Sequence, residues 1–222
     1  MSNLVDHTAK PGIVLLIHGM YMHGLCMQLL ARRLRRIGYQ AVLFSYPSLS
    51  ASIPDNARFL QNFIQSFDTP VVHFVAHSLG GLVVRHLVVE ALHLPFGRTV
   101  TLGTPHQGSH IAREIHVSRL KFILGRSVTQ GLLGDAPPWP ANLELGSIAG
   151  TLNVGIGRYI NTNLVAADGT VAVAETFLQG MTDHICLPVS HTGLLISPTV
   201  AVQVAAFLAA GRFRHDTTIH SY

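Results

Sequence analysis

The chain has 222 residues, of which 48% are hydrophobic and only 12% carry a charge. This length fits one domain with a sizeable core, and the composition favours a tightly buried sheet over a disordered or fibrous chain. The net charge is +4, and basic residues cluster at residues 32–36 (RRLRR). We interpret the cluster as a solvated helix face, with contact to an anionic membrane or acidic partner as the alternative. We expect no nucleic-acid binding, because aromatic interleaving and known binding motifs are missing.

The N-terminal sequence MSNLVDHTAKPG does not resemble a signal peptide, since no basic segment precedes an apolar one. Cys26 and Cys186 fit no metal-site spacing and are too few for a disulfide framework, which favours a reducing compartment. No uncharged apolar run approaches the roughly 18 residues of a membrane-spanning helix. We therefore expect a soluble, cytoplasmic protein in which residues 1–222 form a single domain.

Short apolar runs alternate with segments of helical periodicity along the chain, which is typical of parallel strands joined by crossover helices. The predicted strands are 13–17, 40–46, 71–75, 98–103, 152–157 and 184–187, and the predicted helices are 25–37, 52–67, 79–93 and 197–210. Residues 105–150 are less regular, with a helix expected at 111–124 and a proline cluster breaking it at 136–140. The pattern predicts an α/β fold with a mostly parallel six-stranded sheet and helices on both faces.

The sequence AHSLGG at residues 76–81 interrupts an apolar run between a predicted strand and a predicted helix. A serine on so short a turn, with small residues two positions away on each side, matches a nucleophile elbow. The first small residue is Ala76 rather than glycine, which weakens the motif without excluding it. We predict Ser78 as a nucleophile; a helix cap is the alternative role for this serine.

A serine hydroxyl needs a base to take its proton and a third group to orient that base. His191 lies on the loop between the last predicted strand and helix, and we predict it as the base, with His184 and His106 as rivals. We predict Asp168 as the acid, because it follows a strand-and-turn unit and the order Ser, Asp, His is the one a nucleophile-elbow fold uses. The competing acids are Asp183 and Glu175.

The developing oxyanion needs two backbone donors, and the sequence offers two at the ends of neighbouring strands. The Leu79 N–H lies at the start of the predicted helix, and the Met20 N–H follows His-Gly after the first strand. These two amides are the predicted oxyanion hole. The candidates for lining the substrate pocket are Tyr21, Met22, His77 and His106, with His23 at the pocket mouth.

Three segments resemble the α/β-hydrolase superfamily, in its bacterial lipase and esterase branch: IHGM at 17–20, AHSLGG at 76–81 and LGTPHQGS at 102–109. The resemblance implies a minimal six-stranded α/β-hydrolase fold and hydrolysis of carboxylic esters through an acyl-enzyme, without a cofactor. Residues 109–142 occupy the place of a cap or lid in relatives. Their apolar face equally fits ordinary core packing; it comprises Ile111, Ile115, Leu120, Ile123 and Leu124.

The same residues also serve acyl transfer and thioester hydrolysis, so both stay open beside hydrolysis of a small-molecule or lipid ester. A non-catalytic protein that binds an apolar ligand is a further alternative, but it would not need a nucleophile, base, acid and oxyanion loop together. The chain has 14 histidines, and His106 and His110 are four residues apart. Pro105 and Gly108 argue against a helix there, and no carboxylate or thiol cluster completes a site, so we expect no metal.

Overall fold

The computed structural model describes residues 12–119, 121–154 and 166–215. Within these residues six strands pair in parallel in the order β2-β1-β3-β4-β5-β6. The strands are β1 Ile13–Ile17, β2 Gln40–Phe44, β3 Val72–His77, β4 Phe96–Leu102, β5 Leu145–Gly150 and β6 Asp183–Leu187. The parallel six-stranded sheet predicted from the sequence is confirmed.

Six α-helices surround this sheet in the described residues: α1 Gln28–Arg36, α2 Ile53–Gln65, α3 Leu79–Glu90, α4 His110–Val117, α5 Gly193–Ile196 and α6 Pro198–Ala210. Short 3₁₀ helices span Gly24–Met27, Lys121–Ser127 and Val173–Thr176, and a π-helix spans Val128–Leu132. None of the described helices is long and apolar enough to cross a membrane. The helix predicted at 111–124 is wrong in its second half, because α4 ends at Val117 and residues 121–124 belong to the 3₁₀ helix Lys121–Ser127.

The apolar residues of β1 explain why the sheet carries helices on both faces. All five are buried, and successive side chains of a strand point to opposite faces. Ile13, Leu15 and Ile17 join a core with α2 and α3. Val14 and Leu16 join a second core with α1, α5 and α6. The carboxyl ends of the strands therefore meet at one edge of the sheet, where loops are free to carry polar side chains.

The strand predicted at residues 152–157 was wrong, because the fifth strand is Leu145–Gly150 (LGSIAG) and residues 152–154 form no strand. Residues 155–157 lie outside the described part. Small residues hid β5 from the sequence pattern, yet close packing requires them. A Cβ added to Gly146 would lie 2.6 Å from Phe207, and one added to Gly150 would lie 2.4 Å from the Val189 carbonyl oxygen.

Candidate active site

Ser78 lies on the turn between β3 and α3, in a backbone conformation that non-glycine residues rarely adopt. Its φ is 52° and its ψ is −122°, and such strain costs on the order of 1–3 kcal/mol. The Ser78 N–H donates to the Leu102 carbonyl at 2.9 Å, and the Ser78 carbonyl accepts from the Thr104 hydroxyl at 2.9 Å. The ends of β3 and β4 thus hold the turn in place. Since α3 begins at Leu79, the Leu79 N–H has no acceptor within the helix.

Asp168 and His191 form a hydrogen-bonded pair beside this turn. The His191 Nδ1 lies 2.7 Å from Asp168 Oδ2, and the His191 N–H donates to the Asp168 carbonyl at 2.9 Å. The other carboxylate oxygen, Oδ1, accepts from the N–H groups of Thr170 at 2.9 Å and Val171 at 2.8 Å. Asp168 is buried, and these donors satisfy its carboxylate. In the part of the chain that the structure describes, the other ring nitrogen of His191, Nε2, has no hydrogen-bond partner.

Gly103 makes room for the pair at the end of β4. Its φ is +56°, and an added Cβ would lie 2.9 Å from Asp168 Oδ2 and 3.0 Å from His191 Nδ1. A side chain here would both strain the backbone and displace the pair. The sequence reasoning did not assign a role to Gly103 or to Thr104. Both lie in the LGTPHQGS segment, whose resemblance to lipases was the sequence feature that could have identified them.

His77 contacts His191 through a hydrogen bond and through its ring. Its Nε2 lies 3.1 Å from the His191 carbonyl oxygen, and the two ring centroids are 4.5 Å apart. Because a carbonyl only accepts, Nε2 carries the hydrogen, and Nδ1 is a buried acceptor with no partner among the described residues. Burial, followed by the neighbouring His191, holds the pKa of His77 well below its usual range. His77 is therefore neutral, and it fixes the backbone of the residue that carries the candidate base.

Met20, on the loop after β1, lines the same cavity as Ser78, and a Cβ added to the preceding Gly19 would lie 3.1 Å from the Ser78 Cβ. In the described residues neither the Met20 N–H nor the Leu79 N–H donates to another protein group. The buried His18 side chain shapes this loop, because its Nε2 accepts from the Tyr46 N–H at 3.2 Å and its Nδ1 faces the Gly19 carbonyl at 2.8 Å. Burial lowers the pKa of His18, so that the imidazole is neutral. The Tyr46 hydroxyl donates to the His18 carbonyl at 2.8 Å.

A cavity of about 580 Å³ opens above these groups and is lined by Ser78, His77 and His191 as well as by Met20 and Leu79. Most of its wall is apolar. The segment predicted as a cap or as core packing forms one side, with Ile111, Ala112, Ile115, Ile123, Leu124 and Leu132. Leu120 lies outside the described residues. The cavity is suited to an apolar group reaching the Ser78 hydroxyl.

Tyr21 and Met22 also line the cavity, and Tyr21 has a positive φ of 58°. The Tyr21 hydroxyl donates to the Ile123 carbonyl, which links the loop after β1 to the segment that forms the opposite wall. His23 caps the 3₁₀ helix that follows this loop. The loop after β1 and the 3₁₀ helix Lys121–Ser127, from distant parts of the chain, are therefore joined at the cavity wall.

His106 is not among the side chains that line the cavity, in contrast to its prediction as a pocket residue. It is buried beneath the site, where its Nε2 lies 3.0 Å from the Thr101 hydroxyl and its carbonyl accepts from Arg85 at 2.6 Å. Burial lowers the pKa of His106 to about 3, with further effects from Arg85 and His184. Its neighbour in sequence, His110, points elsewhere and pairs with Glu114 at 3.0 Å.

The rival acids and base are held by other partners. Asp183, at the start of β6, accepts from the Phe213 N–H at 2.7 Å. Glu175 accepts from the Ala172 N–H at 3.0 Å, and burial raises its pKa. His184 lies on β6 and bonds the Thr176 hydroxyl at 2.9 Å.

Two predicted partners share the cavity without being joined. Ser78 and His191 both line it, but no hydrogen bond connects their side chains in the described structure. Such bonds are often long in ligand-free sites and shorten when substrate binds.

A family model described as "Domain of unknown function (DUF7379)" matches residues 2–152. No curated protein matches the sequence.

Solved structures give a likeness in fold. The mature form of the Bacillus licheniformis lipase BlEst2 is 19% identical with a TM-score of 0.74, covering 94% of this chain and 96% of that one. The metagenomic carboxyl esterase MGS0156 is 16% identical with a TM-score of 0.68, covering 82% and 65%. A carboxylesterase of the thaumarchaeon Nitrososphaera gargenis is 12% identical with a TM-score of 0.60, covering 91% of each chain. At these identities the likeness shows the fold, which is that of the α/β-hydrolases, as the sequence motifs predicted.

Proposed function

The chain belongs to the DUF7379 family, a domain of unknown function, and we propose that it is a serine hydrolase that cleaves carboxylic esters with an apolar acyl group. The observation that carries the proposal is the strained Ser78 turn, which lies in one apolar cavity with a histidine bonded to a buried carboxylate. This combination is what a serine nucleophile needs at neutral pH.

In the proposed mechanism, Ser78 Oγ attacks the ester carbonyl carbon while His191 Nε2 takes the hydroxyl proton. Asp168 keeps the hydrogen of the neutral ring on Nδ1 and stabilises the imidazolium that forms. The Met20 and Leu79 N–H groups donate to the oxyanion of the tetrahedral intermediate. The ester C–O bond then breaks, and His191 returns the proton to the leaving alcohol. Water repeats the sequence on the acyl-enzyme and releases the carboxylic acid.

Because the cavity wall is apolar, the part of the substrate buried in it should be an acyl group rather than a polar chain. Six aliphatic side chains line the cavity here: Ile111, Ala112, Ile115, Ile123, Leu124 and Leu132. Each substrate methylene buried against them contributes about 0.8 kcal/mol. We propose that residues 109–142 serve as the cap over this acyl site. The bond from Tyr21 to the Ile123 carbonyl would then join the cap to the oxyanion loop.

A fluorophosphonate probe tests the proposal, because it forms a bond only with an activated nucleophile. Ser109 also lines the cavity and caps α4, which makes it a matched control. We expect peptide mapping to place the adduct on Ser78, labelling to vanish in S78A and to persist in S109A, and S78A turnover of short esters to fall by roughly 10⁴–10⁶. An adduct on Ser109, or no adduct on folded protein, would refute the proposal.

A further inference from the structure

Acidic residues are unevenly distributed around the sheet. Residues 13–54 and 184–215 contain no aspartate or glutamate, and α1 within the first segment carries Arg32, Arg33, Arg35 and Arg36. These two segments supply α1, α5 and α6, which pack together on one side of the sheet. The 13-residue α6 contains no charged side chain at all. One outer layer of the molecule is therefore apolar and basic.

Two of the four arginines of α1 are engaged by the protein itself. Arg33 donates to the Ile196 carbonyl, which fastens α1 to α5, and Arg35 donates to the Ala41 carbonyl at 2.6 Å. Arg32 and Arg36 are exposed and form no hydrogen bond or ion pair within the described residues. They lie one turn apart on the same stripe of the helix, where like charges repel each other. Their free guanidinium groups point to a partner outside the chain.

Exposed apolar side chains come shortly after cavity-lining residues along the chain. Leu25 is 67% exposed, Leu29 40% and Ile196 57%. Met22 and Thr192 line the cavity, and Leu25 and Ile196 come three and four residues after them in the chain. At about 1.5 Å rise per residue, Arg32 and Arg36 lie about 4.5 and 10.5 Å behind Leu29 along the helix axis. We call the surface made of Leu25, Leu29, Ile196, Arg32 and Arg36 the basic face.

We propose that the basic face docks onto the surface of an anionic lipid bilayer. The three aliphatic side chains enter the boundary between headgroups and acyl chains, and the two arginines bind lipid phosphates. A second copy of the chain is a poor occupant, because a two-fold contact would place Arg32 and Arg36 against like charges. Nucleic acid is also unsuited, because the aliphatic side chains offer no surface for stacking bases. Docking here would bring the mouth of the cavity to the lipid.

Vesicle co-sedimentation tests the proposal with phosphatidylcholine vesicles that contain or lack phosphatidylglycerol. The test variant is R32E/R36E, and the control is R126E/R212E, which changes the net charge equally at exposed arginines outside the basic face. We expect salt-sensitive binding to the anionic vesicles only. Since each arginine near a charged membrane contributes about 5-fold in affinity, R32E/R36E should bind at least about 25-fold more weakly, and the control should bind like wild type.

Several outcomes would overturn the proposal: no binding to anionic vesicles, equal binding to neutral vesicles, or equal losses in both double variants. The oligomeric state without lipid, measured by sedimentation, gives a further outcome of this kind. A dimer that R32E/R36E abolishes would assign the basic face to a second copy of the chain. Thermal unfolding verifies that each variant is folded. Binding by S78A should equal that of wild type, so the result is independent of whether Ser78 is a nucleophile.

Discussion

Replacing Asp168 with asparagine should preserve the shape of the site but move the ring hydrogen of His191 from Nδ1 to Nε2. Asp168 Oδ1 accepts from the Thr170 and Val171 N–H groups at 2.9 and 2.8 Å, and the amide oxygen of asparagine can take over that role. The opposite orientation would leave the buried Val171 N–H without an acceptor, at a cost of about 1–3 kcal/mol, and would also break the bond from the exposed Thr170. The NH₂ group must therefore face His191 Nδ1, 2.7 Å from the replaced oxygen.

An NH₂ group donates, so it stabilises the ring form in which His191 Nδ1 is bare and Nε2 carries the hydrogen. This form has no lone pair on Nε2 to accept the Ser78 proton. If the proposed mechanism holds, we expect D168N to lose about 10⁴ in turnover, or about 5.4 kcal/mol of transition-state stabilisation. Little stability should be lost, because the backbone donors keep their acceptor.

Turnover of a chromogenic short-chain ester, with the rate of fluorophosphonate labelling as a second readout, measures the effect. D183N is the matched control, because Asp183 lies at the start of β6, at the opposite end of the sheet, and serves the Phe213 amide. It should turn over ester like wild type. The reasoning is refuted if folded D168N retains more than about one tenth of wild-type turnover, or if D183N loses as much as D168N.

Two further buried histidines, His77 and His106, have roles that substitution can test. His77 donates to the His191 carbonyl through Nε2, and the amide nitrogen of glutamine reaches the same place. H77Q should therefore keep kcat, while H77N should lose about 10-fold in kcat with KM unchanged. Steady-state kinetics measure both variants, and equal effects in the two would contradict this role. His106 has a pKa of about 3 in the folded state, so its contribution to stability is complete above pH 6.5 and is lost as the pH falls. Between about pH 7.5 and about pH 5 the wild type should lose about 2 kcal/mol more unfolding free energy than H106Q, as measured with urea; parallel pH profiles would contradict this.

The sequence predicted the strands whose residues are large and β-branched, and failed where they are small. β1 was placed with its observed limits because five apolar residues stand between polar ones. β5 was missed because LGSIAG carries little hydrophobic signal. Its small residues are dictated by Phe207 and by the Val189 carbonyl, which approach from other parts of the chain. Periodicity reads a strand's own side chains, so it cannot detect a strand defined by what packs against it.

The candidate site also has a part that the sequence predicts and a part that it does not. Ser78 and His191 could be placed because each follows a strand, and parallel strands end at one edge of the sheet. The hydrogen bond from His77 to the His191 carbonyl joins residues 114 positions apart. That contact, like the clearance that Gly103 provides for Asp168, depends on sheet register and on loop paths. No local pattern encodes either, although the LGTP segment marks the right place.

The departure of the elbow from Gly-x-Ser-x-Gly has a structural reason. A Cβ at Gly80 would lie 2.6 Å from the His18 carbonyl oxygen, so the second glycine is required by close approach of the loop after β1. Ala76 instead lies within β3, paired with Ile17 on one side and Thr101 on the other, and its methyl group is fully buried in the core under α3. The first small position therefore tolerates a methyl, because it faces side chains that can pack around it. The second faces the His18 carbonyl, which the Tyr46 hydroxyl holds in place at 2.8 Å.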